Sequence, residues 1–174
     1  IKVDLSDEEF AKDLNLKLVS DEEFRNLKLH IQEDLLKLAN PDVTYSALAF
    51  TLLPIIFPFL DEDRTKFSLF VRGESGKGKS FILLAFQNFF GNFEKVTTWS
   101  STTNALGRIG YFFNDSLYLI DDFKRRVFNN KGGGSYDAAL TLLQNYADNT
   151  ARARMTATLG TAPTYVIRGW VACT

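Results

Sequence analysis

Two textures of apolar and polar positions meet near residue 60. In the first, apolar residues recur at helical spacing. Phe24, Leu27, Ile31, Leu35 and Leu38 share one stripe, which predicts an amphipathic helix ending near the Ala-Asn-Pro-Asp stretch at 39–42. The pentapeptide Ser-Asp-Glu-Glu-Phe starts at Ser20 and also at Ser6. Each copy reads as a capping box, with Ser at N-cap and Glu at N3 answering each other's backbone N–H groups. Two copies do not make a solenoid, so they predict two successive helix starts. Another helix is expected from about Thr44 to Phe57, inside the longest apolar run, Ala47 to Leu60. That run is too short to span a bilayer, is interrupted by Pro54 and Pro58, and does not sit where a signal peptide would. It predicts a buried helix pair with a proline kink.

From Lys66 onward, short apolar runs alternate with helical patterns. Residues 66–71 read as a strand, 79–90 as a helix closed by Gly91, and 94–99 as a strand through its β-branched residues. Residues 100–114 begin with N-cap candidates and continue as a helix; 116–123 form an apolar strand ending in acids. A glycine-rich loop at 129–135 precedes a helix at 136–147. The tail from Thr150 reads as extended, with a turn at 160–164 and a last strand at 169–174. Strands alternating with helices predict an α/β fold whose mostly parallel sheet lies between helices.

Composition narrows the function classes. Apolar residues make up 45%, which excludes a disordered chain, and a net charge of −1 gives no general pull toward nucleic acid. Any such contact has to rest on a local basic feature. The single cysteine, Cys173, permits no internal disulfide, no His/Cys cluster has zinc spacing, and the chain reads as cytoplasmic with no membrane partner. His30 stands alone on its helix without a metal role, and Asp61–Arg64 reads as a solvated turn. The sixteen phenylalanines, with Trp99 and Trp170, read as packing residues rather than base-stacking ones.

The chemistry begins at Gly73. G-x-x-x-x-G-K-[ST] fits in one register only: Gly73, then Glu74, Ser75, Gly76 and Lys77, then Gly78, Lys79 and Ser80. Position 71 is valine, so Lys77 cannot be the motif lysine. Lys79 is therefore the expected ligand of the β- and γ-phosphates of ATP, and Ser80 the hydroxyl on Mg²⁺. Backbone N–H groups from Gly73 to Gly78 are expected to wrap the phosphates, helped by the positive end of the following helix. Lys77 falls at the apex, its side chain facing outward. A chance match in a glycine-bearing turn would lack the strand before and the helix after. Asp121, at the tip of the acidic strand, is placed to hold Mg²⁺ directly or through water, and Asp122 to orient attacking water. Otherwise these acids cap the turn or pair with Lys124, Arg125 and Arg126.

Taken in order, residues 73–80, the segment Thr97–Leu106, the stretch Phe112–Phe123, then 145–155 and 168–174, resemble the AAA+ ATPase domain of phage- and plasmid-type primase–helicase proteins, which is similar to superfamily 3 helicases. The resemblance covers roughly residues 45–174. It implies an ATP-hydrolysing P-loop motor, acting as a homo-oligomeric and usually hexameric ring on single-stranded DNA in replication of a mobile element. It also implies a polar sensor at the end of a further strand, for which Thr174 is best placed, and a DNA-reaching hairpin before that strand. Arg152 and Arg154 alternate, so they share one face of an extended segment. They are arginine-finger candidates, with contact to DNA phosphate or plain solvation as the other readings, and Arg125 and Arg126 are rival fingers. The acidic pair is Asp-Asp where many relatives have Asp-Glu.

On this reading residues 1–60 are a helical segment and 61–174 a P-loop ATPase core. The chain is expected to be part of a longer protein, and no lid or second arginine sensor follows Thr174, either because the sequence stops there or because the protein lacks one. A nucleotide-switched ATPase assembly module of a defence or signalling system, without unwinding activity, is the alternative. A small-molecule kinase would need an acceptor pocket and lid that nothing marks.

Overall fold

The computed structural model describes residues 18–59, 66–123, 135–151 and 164–174. The Ser6 pentapeptide, Asp61–Arg64, the glycine-rich loop and the turn at 160–164 lie outside them.

The capping box at Ser20 is formed. Ser20 Oγ accepts from the Glu23 N–H at 3.3 Å, and Glu23 Oε2 accepts from the Ser20 N–H at 2.8 Å, opening α1 (Asp21–Glu33). The apolar stripe behaves differently from expectation. α1 buries no residue, Phe24 and Leu27 are 62% and 49% exposed, and the helix gives way to a 3-10 turn at Leu35–Lys37. Helical period reveals an apolar face but not whether another element covers it. His30 has a partner: Nδ1 lies 2.8 Å from Asp34 Oδ2, one turn on.

α2 (Pro41–Ile56) starts with Asn40 capping the Asp42 N–H and Pro41 in the first turn. It is one helix, not a kinked buried pair. Pro54 sits in its last turn, so the hydrogen bond it cannot donate is lost with only two helical residues beyond it, and a 3-10 turn follows at Phe57–Phe59. Thr44, Ala47, Phe50, Thr51 and Pro54 face the core, while Tyr45, Leu52, Ile55 and Ile56 are exposed. With its 3-10 extension the helix spans 19 residues at a mean hydropathy of 1.5, enough by length and composition to cross a membrane. The helix is thus longer than the Ala47–Leu60 run, and one of its faces packs on α3 and β4.

The rest is α/β. β1 (Leu69–Phe70), α3 (Lys79–Gln87), β2 (Thr97–Thr98), α4 (Thr103–Phe112), β3 (Leu117–Asp121), α5 (Ser135–Ala147) and β4 (Trp170–Cys173) follow in order. The strands form a four-stranded sheet in the order β1-β4-β3-β2, every neighbouring pair parallel, between helices. β3 from Leu117 to Ile120 and all of β4 are buried, as expected of central strands in a parallel sheet. Leu117 pairs with Trp170 and Ile120 with Cys173, so the ends of β3 and β4 coincide.

Both tryptophans and part of the phenylalanines pack, while Phe24, Phe59, Phe67, Phe70 and Phe81 are exposed. Phe86, Phe90, Phe93 and Phe113 are buried, and the Trp170 indole meets Phe50, Phe57 and Phe67 edge-on at 4.9–5.6 Å. Because α2 supplies Ala47 and Phe50 to the same core, the helical segment is joined to the sheet by packing as well as by sequence. The segment entering β4 is held to α4 by close backbone approach. The Arg168 and Gly169 N–H groups both donate to the Gly110 carbonyl at 3.1 Å.

Candidate nucleotide site

The loop from Gly73 to Gly78 leaves β1 and enters α3. The Val71 N–H donates to the Cys173 carbonyl at 2.9 Å, which holds the strand exit against β4. Gly76 and Gly78 have φ of 76° and 75°, backbone that L-residues rarely adopt, and Gly78 is the N-cap of α3. Residues 72–78 are exposed and turn at Ser75–Gly76, so the loop carries its backbone N–H groups at the surface. A curved, outward-facing run of such groups at a helix N-terminus suits an anion.

The two lysines separate as spacing predicts. Lys79 Nζ folds back inside the loop, donating to the Gly73 and Glu74 carbonyls at 3.0 and 2.7 Å. Lys77 stays outside, its side chain 70% exposed and 3.8 Å from Glu74 Oε2. A lysine held only by two carbonyls can move to a phosphate without breaking an ion pair.

Ser80 Oγ donates to Asp121 Oδ1 at 2.8 Å, which ties the first turn of α3 to the tip of β3. The same oxygen accepts from Thr174 Oγ1 and, at 2.7 Å, from the Asp122 N–H. Thr174 is fixed by its backbone, which donates to Ile120 and accepts from Phe123 at 2.9 Å. Burial pushes the Asp121 carboxyl up, but the hydrogen bonds from Thr174, Ser80 and Asp122, with the Lys79 charge, outweigh it and hold the group below the usual carboxylate range.

Asp121 therefore contributes stability above its unfolded pKa of about 4, and that contribution is lost as pH falls through the lower folded value. Thermal midpoints of the parent chain and Asp121→Asn should differ by a constant amount above about pH 5 and converge in acid. A gap independent of pH down to about 2 would contradict the network.

Asp122 has φ 63°, a left-handed conformation that Asp tolerates better than most residues, and its side chain is exposed. The backbone thus turns sharply straight after Asp121 and presents Asp122 to solvent beside the loop side of the sheet. Ser80 and Asp121 supply two protein oxygens. That number suits Mg²⁺, which keeps several waters and takes further oxygens from phosphate. Among the described residues no group of three or more His, Cys, Asp or Glu side chains is placed to cage a metal.

Arg125, Arg126, Arg152 and Arg154 lie outside the described residues, as does most of the hairpin stretch. Sequence reasoning missed two features. An apolar cavity of about 120 Å³, lined by Phe70, Trp99, Phe123 and α5 residues, lies behind the acids. A basic and aromatic group sits at the far end of the sheet. Neither has a local pattern, since each draws on strand ends distant in sequence.

Residues 29–155, well over half the chain, match a family described as a domain of unknown function, DUF927. The match takes in the phosphate loop, Asp121 and Asp122, and stops before β4. No curated protein and no solved structure matches the chain. The chain belongs to the DUF927 family.

Proposed function

We propose that this chain is the ATP-hydrolysing P-loop core of an AAA+-type motor, working as a homo-oligomeric, hexameric ring on single-stranded DNA as the replicative helicase of a phage, plasmid or other mobile element. The observation that carries the reading is the Ser80–Asp121 hydrogen bond, which brings two motif elements 41 residues apart into direct contact. The strand order supports it as well, because β4 lies between β1 and β3 and delivers Thr174 to Asp121.

In this reading the loop N–H groups and Lys79 bind the ATP phosphates. Ser80 and Asp121 hold Mg²⁺, which neutralises phosphate charge when bound. Asp122 orients the attacking water, and Thr174 keeps Asp121 aligned between the loop and the acids. Arginines from a neighbouring subunit, Arg152 or Arg154, complete the site.

Asp122→Asn tests the hydrolytic role cleanly, because Asn also tolerates the left-handed backbone and the substitution removes charge without strain. ATP affinity should stay within about twofold while hydrolysis falls by about 10²-fold or more. Unchanged hydrolysis would remove Asp122 from the mechanism.

A second reading, a nucleotide-switched assembly module that unwinds nothing, is favoured by the apolar surface of α1 and α2. Phe24, Leu27, Tyr45, Ile55 and Phe59 are all about half exposed or more, and such clusters mark protein contacts. ATPase activity stimulated by DNA selects the motor. Nucleotide-dependent oligomers indifferent to DNA select the switch.

A further inference from the structure

At the sheet end opposite the acids, two cations lie side by side. Lys66 precedes β1 and Arg168 precedes β4, and because these strands are parallel neighbours both residues stand at the same end. Lys66 Nζ donates to the Arg168 carbonyl at 3.1 Å and lies 5.8 Å from the Tyr146 ring centre. The Arg168 guanidinium lies over the Tyr111 ring at 5.5 Å, and Tyr111 meets Tyr165 at 5.5 Å with the planes 66° apart. Among the described residues neither cation forms an ion pair. Burial lowers the Lys66 pKa; the charge of Asp115 opposes that and the charge of Arg168 adds to it.

Lys66 and Arg168 repel each other, Asp115 attracts Lys66 from the other side, and burial makes a charge on Lys66 costlier to hold. An incoming anion relieves the repulsion. The tyrosines narrow its class: Tyr111 holds the guanidinium plane ready for a phosphate, and Tyr165, half-buried beside it, offers a ring to an unstacked base. Duplex DNA would present phosphates here but no open base faces, so rings would gain nothing from it.

We propose that Lys66, Arg168, Tyr111 and Tyr165 form a binding site for single-stranded nucleic acid, with the cations on phosphodiesters and the tyrosines on bases. This deepens the motor reading by naming where its load is held. The site stands apart from the nucleotide. Six residues of extended chain from Arg168 to Thr174 separate the two by about 20 Å, along a strand that carries one site at each end.

The test is fluorescence anisotropy of a labelled oligo-dT 20-mer against the whole chain, without nucleotide, across a salt series. Inorganic polyphosphate serves as a polyanion without bases. Arg168→Gln should weaken oligo-dT binding about tenfold and reduce the slope of log K against log salt by about 1. Arg168→Lys should keep the slope, which shows that charge and not folding is being read. Tyr165→Leu should cost oligo-dT about fivefold and leave polyphosphate unaffected.

An Arg168→Gln chain with unchanged affinity and slope overturns the proposal. So does a parent chain that binds polyphosphate as tightly as oligo-dT, which would leave a plain anion site. Oligo-dT binding without ATP hydrolysis leaves this site standing and defeats the motor; hydrolysis without oligo-dT binding does the reverse.

Discussion

Lys79→Ala is expected to abolish ATP hydrolysis, lowering kcat/KM by at least about 10²-fold, while Lys77→Ala costs less than about threefold. The difference follows from position rather than charge, since both residues are lysines two apart on one loop. Lys79 is the residue whose ammonium already lies inside the loop, donating to Gly73 and Glu74. Lys77 extends into solvent beside Glu74, and only its backbone faces the cradle. Removing a preorganised cation from a developing phosphate charge typically costs several kcal/mol. Removing a solvated one costs little. Steady-state hydrolysis by the two variants and the parent measures this directly. Equal loss in both would mean that the motif register is wrong.

The second large effect is on stability. Gly169→Ala should destabilise the fold by about 3 kcal/mol, a fall in Tm of roughly 6–12 °C for a chain of this size. A Cβ there would stand 2.7 Å from Phe113 Cβ and 2.8 Å from the Phe113 carbonyl oxygen. Those atoms end α4 and cannot move away as the tip of a flexible side chain could. Gly169 also donates to Gly110, so any retreat of the segment breaks a buried hydrogen bond. Gly107→Ala on the same helix is the control. Its Cβ would meet only the Tyr165 carbonyl at an ordinary 3.7 Å, so the variant should be neutral or gain up to about 1 kcal/mol in helix propensity. Thermal melts of both variants decide the matter, and a stable Gly169→Ala would show that the α4 contact is not tight.

The contrast between these two predictions also shows what a sequence can disclose. The geometry of the glycine loop and of the acidic strand was legible because it is written in local spacing: glycines where φ is positive, a lysine and serine entering a helix, acids after an apolar run. The helices and strands from Lys66 onward were legible for the same reason, and the parallel sheet followed from their alternation. Sheet order was not. Nothing in residues 169–174 says that they insert between β1 and β3, because neighbour choice depends on which faces fit. The stripe of α1 misled, since Phe24 and Leu27 have core periodicity yet stay exposed among the described residues. Pro54 misled in a smaller way, its position in the last turn making a kink unnecessary. The Lys66–Arg168 pair was invisible because its members are 102 residues apart and meet only when the strand ends align.

The arrangement of β4 gives the account its internal connection. β4, buried from Trp170 to Cys173, lies between the proposed nucleic-acid contact at Arg168 and the Thr174 hydroxyl on Asp121. A packed central strand transmits displacement rather than absorbing it. On the proposed motor reading, displacement at the Asp121 end would be felt at the far end of the sheet.

The central claim is that Ser80 and Asp121 form a Mg²⁺-dependent nucleotide site. Equilibrium titration of the chain with ATP, with and without Mg²⁺, tests it most directly. The account predicts saturable binding that Mg²⁺ tightens at least about tenfold in the parent chain and does not tighten in Asp121→Asn. Absence of ATP binding, or binding indifferent both to Mg²⁺ and to Asp121, would contradict it.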